Sequence, residues 1–200
     1  MKKLSKITES IWADLEDRSS GDVSRREDYE YTNIFKKIKT MELIHPSVEW
    51  VLGVDYLWTP CNFGAESYDQ PGLYLNSEEL VELHEFLKNT EYEIAGSMAF
   101  DILRNRRFEK KKIGKTWYYI FGGDDDKKLY IPNFGVYTEG SDNLIKPTGN
   151  DAAYYGCYHI EGAGYTQIKN AGKSYLCKTY INSSQGTDSD RFQVRLVKKI

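Results

Sequence analysis

Closely spaced cysteines are missing from this chain. Cys61, Cys157 and Cys177 are odd in number and far apart, which excludes a disulfide-dense scaffold and every zinc module built on C-x-x-C pairs. The expectation is three free, buried thiols in a chain made in a reducing cytosol. Histidine is equally sparse. His45, His84 and His159 share no ligand spacing with one another or with the cysteines, so neither a metal nor a cofactor is expected. Long apolar runs are missing too: no stretch approaches the ~18 residues of a membrane span. Met1-Lys2-Lys3 opens like a signal peptide, but the apolar segment that should follow is not there. Cytoplasmic synthesis without a signal peptide and without membrane insertion is expected. Nor is there an excess of positive charge. A formal net charge of −3 and a pI near 5.7 do not fit a basic nucleic-acid-binding face, so nucleic acid is not an expected partner.

Signatures of catalysis fail one by one. Ala171-Gly172-Lys173-Ser174 resembles the end of a phosphate-binding loop, but the glycine required five residues before Gly172 is Gln167. Asp124, Asp125 and Asp126 are adjacent, whereas a calcium loop places carboxylates at alternate positions and ends on a distal glutamate. They fit a solvated turn better. Cys157 and His159, two apart on an extended segment, read as a structural thiol beside a surface histidine. No enzyme is expected.

Tyrosine is what the chain has in abundance, 16 against 8 Phe and 4 Trp. Tyrosine gives large contact area at low rotameric cost and suits recognition surfaces, and it also suits half-buried strands. Leu4, Ile7, Ile11, Trp12 and Leu15 recur at helical spacing between charged residues, which predicts an N-terminal amphipathic helix of about four turns. A short helix with a narrow apolar stripe needs a partner surface. Its own domain could supply one, but the polar stretch 22–28 reads as a linker and favours attachment to another chain or self-assembly. Ile34, Phe35, Ile38 and Met41 fit a short helix before His45-Pro46.

Beyond Pro46 the chain turns to short aromatic runs. Two parts are therefore expected: residues 1–46 for attachment or oligomerisation, and residues 47–200 as a folded domain. Ser77 can cap a helix through Leu80, Leu83 and Leu87, and a second helix is expected over about 94–107 with Met98, Ile102 and Leu103 inward. Residues 117–121 and 129–131, separated by glycines and aspartates, predict a hairpin, and 192–197 a closing strand. The fold class is α+β.

Three blocks resemble a known family. Trp50 to Ala65, with Leu57-Trp58-Thr59-Pro60-Cys61-Asn62-Phe63-Gly64 at its centre, is similar to the "LGL…LWAxCNxGA" opening of the Fibrobacter succinogenes major paralogous domain. Lys128 to Gly135 resembles that family's "lFLPaaG", and Phe192 to Val197 its closing "fsVRpV". Leu75-Asn76-Ser77 before Glu78-Glu79 is a worn form of its "RLPTxEE". The resemblance implies a C-type-lectin-like fold of the sulfatase-modifying-factor type, with two helices and short twisted antiparallel strands, here preceded by an N-terminal helix. It also implies that Trp58 and the 61–64 turn anchor the first strand. Pro132 and Gly135 would bend the chain, and the last strand would return beside the first. The family's "YWSS" survives only as Tyr175-Leu176-Cys177-Lys178, without its tryptophan. The copper-binding cysteine pair of the formylglycine-generating relatives does not map onto Cys157 and Cys177.

The first 28 residues look like leaders on proteins of phages that infect gut bacteria. The implied function is a phage virion protein, a head or tail fibre component for host adsorption, made in the host cytoplasm and located in the virion. Its partners would be other virion proteins or itself through the N-terminal helix, and a host-surface glycan or protein through the domain. The expected binding face is Tyr154, Tyr155, Tyr158, Tyr165, Asn170, Tyr175, Tyr180 and Asn182. A structural decoration protein, or an intracellular phage protein binding a host factor, are the alternatives. A formylglycine-generating enzyme would need Cys157 and Cys177 adjacent in space.

Overall fold

A computed structural model describes residues 23–46, 55–103, 108–122, 127–137, 144–145, 153–159, 162–171, 174–181 and 190–200. The expected helix carrying Leu4, Ile7, Ile11, Trp12 and Leu15 lies outside these, as do Asn182 and the three aspartates 124–126. The chain divides into two compact units, Met1–Lys39 and Thr40–Ile200.

In the first unit, residues 23–28 were expected as a polar linker. They open a helix, α1 (Val23–Thr40). Two arginines followed by two acids suit a solvated helix as well as a disordered stretch, and Arg26 and Glu30 stand at the i,i+4 spacing that favours the helix. Ile34, Phe35 and Ile38 fall within α1 as expected, and Met41 lies just past its end.

The second unit is α+β. Its chain runs β1 (Tyr56–Trp58), β2 (Tyr74–Leu75), α2 (Ser77–Leu87), β3 (Tyr92–Ile94) and α3 (Ser97–Leu103), then ten further strands. A meander follows α3: β4 (Phe108–Ile113), β5 (Thr116–Phe121) and β6 (Leu129–Asn133) form a three-stranded antiparallel sheet. The β5–β6 pair is the expected hairpin, with Tyr119 opposite Ile131. A short ribbon pairs β7 (Val136–Tyr137) with β8 (Leu144–Ile145). Two long hairpins come next, β9 (Ala153–His159), β10 (Gly162–Ala171) and β11 (Ser174–Ile181).

The closing stretch is not one strand. It splits into β12 (Phe192–Gln193) and β13 (Leu196–Lys199), which belong to different sheets. β12 lies between β9 and β2 in a sheet ordered β11-β10-β9-β12-β2, and β13 lies between β1 and β3. Val194 and Arg195 make the crossing, and their carbonyls accept from Phe63 N and Ala95 N, both at 2.8 Å. The last strand returns to the first as expected, with Val197 opposite Trp58. Ile44 also exchanges two backbone hydrogen bonds of 2.8 Å with Trp58. That ties residues before the expected boundary at 46/47 to the β-rich unit.

Both helices of this unit differ in detail from expectation. Asn76, not Ser77, is the N-cap of α2: it is extended, accepts from Glu79 N, and Glu79 returns a carboxylate to Asn76 N. The second helix is described over Ser97–Leu103, with 104–107 outside the described residues, and Ile94 ends a strand instead. Ala99, Phe100 and Leu103 face the core, which turns Met98 outward to 62% exposure. Its sulfur accepts from the Tyr56 hydroxyl at 3.7 Å. The core gathers Trp58, Phe100, Tyr119, Phe121, Tyr155 and Val197, with Trp58 and Phe100 packed edge to face at 5.1 Å. No described helix is long and apolar enough to cross a membrane.

Candidate functional site

One buried side chain holds the scaffold's parts together. Arg195, fully buried, donates from Nη1 to Thr59 O and from Nη2 to Tyr130 O, each at 2.7 Å. Burial pulls its pKa below the ordinary arginine value, against a counteracting pull from the Tyr155 hydroxyl. Beside it, Asn62 Nδ2 donates to Gln193 Oε1 at 2.8 Å and to Pro71 O at 3.0 Å. Gln193 Nε2 reaches Pro132 O at 3.2 Å, which also accepts from the Tyr155 hydroxyl at 2.9 Å. Pro132 therefore sits inside β6 as an acceptor and does not bend the chain as expected. Gly135, at φ +96°, makes that turn. These polar side chains are spent on backbone carbonyls, which is structural work.

The expected tyrosine face is divided by strand register. Side chains of directly opposed residues share a face, and neighbours along a strand alternate. Tyr165 stands opposite both Gly156 and Tyr180. By alternation Tyr154, Tyr158, Tyr165 and Tyr180 occupy positions on one face, and Tyr155, Asn170 and Tyr175 on the other. Tyr155 is a core residue with 0% exposure, not the surface residue expected. It was expected at the surface because every second tyrosine of Tyr154-Tyr155 must point inward, and sequence alone does not say which.

The outer face is partly roofed by α2. Leu80 lies over Gly156, His84 stacks on Tyr158 with ring centroids 3.7 Å apart, and Tyr165 stacks on Phe192 at 4.7 Å. Tyr154 and Tyr165 are in tilted contact at 5.9 Å. Tyr154, Tyr158 and Tyr165 stay half-buried in this packing. Cys61 and Cys157 are free and buried, as expected.

The same register bears on two motifs. Cys157 is opposite Gly164 and Cys177 opposite Ile168. Two strand spacings across and four residues along separate their Cα atoms by roughly 16 Å, too far for a disulfide or a shared copper ion. The adjacency that a formylglycine-generating site would need between Cys157 and Cys177 is not found in this register. Ala171 pairs with Ser174, so the phosphate-loop lookalike closes a hairpin. A strand, β11, follows it, where a phosphate loop needs the N-terminus of a helix.

No family model, curated protein or solved structure matches this chain. What can be read of its function comes from its own geometry.

A surface that the sequence reading missed lies between the 61–72 loop and the β4–β6 sheet. Tyr68 is 39% exposed although its ring stacks on Tyr130 at 4.3 Å and 23° and meets the edge of Tyr118 at 6.0 Å. Tyr118 in turn touches Tyr130 and Phe134 at 6.1 and 6.3 Å. Burial, then the Asp69 carboxylate and Tyr68, push the Tyr118 hydroxyl up to about 12. Tyr68 lies 50 and 62 residues before Tyr118 and Tyr130 in sequence, and only the alternation in residues 117–121 and 129–133 hinted that Tyr118 and Tyr130 share a face.

His84 makes the outer face sensitive to acid. Burial, and secondarily Lys88, lower its pKa from the ordinary 6.5. The unfolded chain therefore takes up the proton first, and this contribution to stability is complete above 6.5. It declines as the pH falls from there towards the folded value. His84→Gln is expected to flatten the slope of the urea midpoint against pH in that window while leaving the midpoint at neutral pH little changed. An unaltered slope would show that the ring is as freely protonated folded as unfolded.

Proposed function

We propose that the chain is a virion-associated binding protein of a phage, in which a C-type-lectin-like domain carries a recognition surface and the N-terminal segment attaches to the particle or to further copies. One observation carries this reading. The three sequence blocks that resemble the Fibrobacter succinogenes major paralogous domain lie more than 130 residues apart at their extremes, yet they meet at one guanidinium. Arg195 belongs to the last block, Thr59 to the first and Tyr130 to the second. Residues that recur as motifs and converge on one buried charge behave as the scaffold of a fold, and function on such a scaffold lives in the loops and faces it positions.

The decisive comparison is between the full chain and a version beginning at Thr40, which keeps the Ile44–Trp58 pairing. Light-scattering mass, presence in purified virions and binding to host cells are the readouts. The shortened chain is expected to fold as a monomer and to retain cell binding, while only the full chain assembles or joins particles. Particles that hold the protein without any cell binding would mark a decoration protein. Its absence from virions, with capture of a host protein inside infected cells, would mark an intracellular factor.

A further inference from the structure

We propose that Tyr68 and its surroundings form a carbohydrate-binding ledge that takes the apolar face of a pyranose ring. The inference stands without the virion reading and concerns a surface separate from the tyrosines of β9–β11.

The ledge is rigid before anything binds. Its loop is pinned by Cys61 Sγ to Ala65 O at 3.1 Å, Asn62 Nδ2 to Pro71 O at 3.0 Å and Leu73 N to Phe63 O at 2.8 Å. Within it, Gln70 Oε1 accepts from Glu66 N at 2.9 Å and the Ser67 hydroxyl donates to Asp69 Oδ1 at 2.5 Å. Tyr130 covers one face of the Tyr68 ring and Tyr118 meets it edge to face, so the 39% exposure is that of a flat ring already held in place. A ligand stacking there orders little, which keeps the entropic cost of binding low.

The chemistry of the rim selects the ligand. The rings pack on one another and leave no aromatic box for a quaternary cation. Among the described residues the exposed large hydrophobics are Tyr68 in the 61–72 loop, Val81 on α2, Met98 on α3 and Ile200 past the end of β13. Tyr68 is thus a single apolar plate and not part of the broad apolar patch that a protein partner needs. Exposed carboxylates flank it at Glu66 and Asp69. A flat apolar plate bordered by hydrogen-bond acceptors matches a pyranose, whose C–H face is apolar and whose equatorial hydroxyls point outward to donate.

The test titrates the full chain with neutral tetrasaccharides (maltotetraose, cellotetraose and chitotetraose) by saturation-transfer NMR and tyrosine fluorescence. At least one is expected to saturate below concentrations on the order of 10 mM, the range of weak single-plate recognition. Tyr68→Ala should weaken that binding about tenfold or more, Tyr68→Phe should keep it within about threefold, and Asp69→Asn should fall between. Saturation-transfer signals should be strongest on the sugar's C–H face. The idea fails if no tetrasaccharide saturates, or if Tyr68→Ala binds as the unaltered chain does while melting at the same temperature. It also fails if Tyr68→Ala abolishes attachment to cells but none of the sugars competes, because the occupant would then be a protein.

Discussion

Arg195→Ala is expected to destabilise the unit Thr40–Ile200 by about 3–5 kcal/mol, read as a lowered urea midpoint at unchanged slope. Two losses add. The carbonyls of Thr59 and Tyr130 lose the guanidinium that donates to them at 2.7 Å each, and an unsatisfied buried acceptor costs about 1–3 kcal/mol. The truncation also leaves a cavity where a fully buried side chain stood. Arg195→Lys keeps the charge but replaces a planar fork by a single ammonium, which cannot serve two carbonyls on different strands with the same geometry. It should recover part of the loss and no more. If alanine were tolerated within about 1 kcal/mol, the guanidinium would not be what holds the three blocks together, and the strongest support for the lectin-like scaffold would go with it.

Gly72→Ala should cost at least about 3 kcal/mol, or prevent folding altogether. Gly72 sits at φ +74°, and a Cβ there would lie 2.3 Å from Phe63 O. The obstacle is backbone, and Phe63 O is itself held by Leu73 N at 2.8 Å, so it cannot swing aside. Gly114 supplies the control: its φ is +60° with nothing within 4 Å of the added carbon. Gly114→Ala should cost only the left-handed penalty of about 1–2 kcal/mol. Equal losses at the two sites would mean that φ alone matters and the loop relaxes around the new methyl. A larger loss at Gly72, measured by thermal or urea unfolding, would locate the difference in the close approach of two backbone segments that builds the ledge loop.

Local signals in the sequence were read well where a single element answers to its own residues. The capped helix beginning near Asn76 carries Leu80, Leu83 and Leu87 on one stripe, and all three are buried. The hairpin of 117–121 with 129–131 formed because period-two aromatics flank a glycine- and aspartate-rich turn. The helical backbone of 23–28 was not legible, because charged residues leave an extended linker and a solvated helix equally open to composition. The split of 192–197 into two strands was hidden because alternation continues through Val194 and Arg195 although the chain changes sheets there. One residue of the expected binding face, Tyr155, is core for a sharper reason. Period two says that tyrosines alternate between faces, but which face is the core depends on the partner strand and on the helix above it.

By itself the sequence determined the α+β class, the helix that begins near Asn76 and the central hairpin, while the pairing of the last strand with the first was an implication of the family resemblance. Patterns of burial and capping act over a few residues and can be read there. Tertiary structure alone decided where the polar core lies, because Arg195 finds its acceptors 136 and 65 residues away. It also decided which tyrosines are core and which are surface. Tyr155 is sealed against Phe100, while Tyr68 is left open on a plate that Tyr130 supports. Burial is a property of the packed neighbours, and those neighbours are distant in sequence.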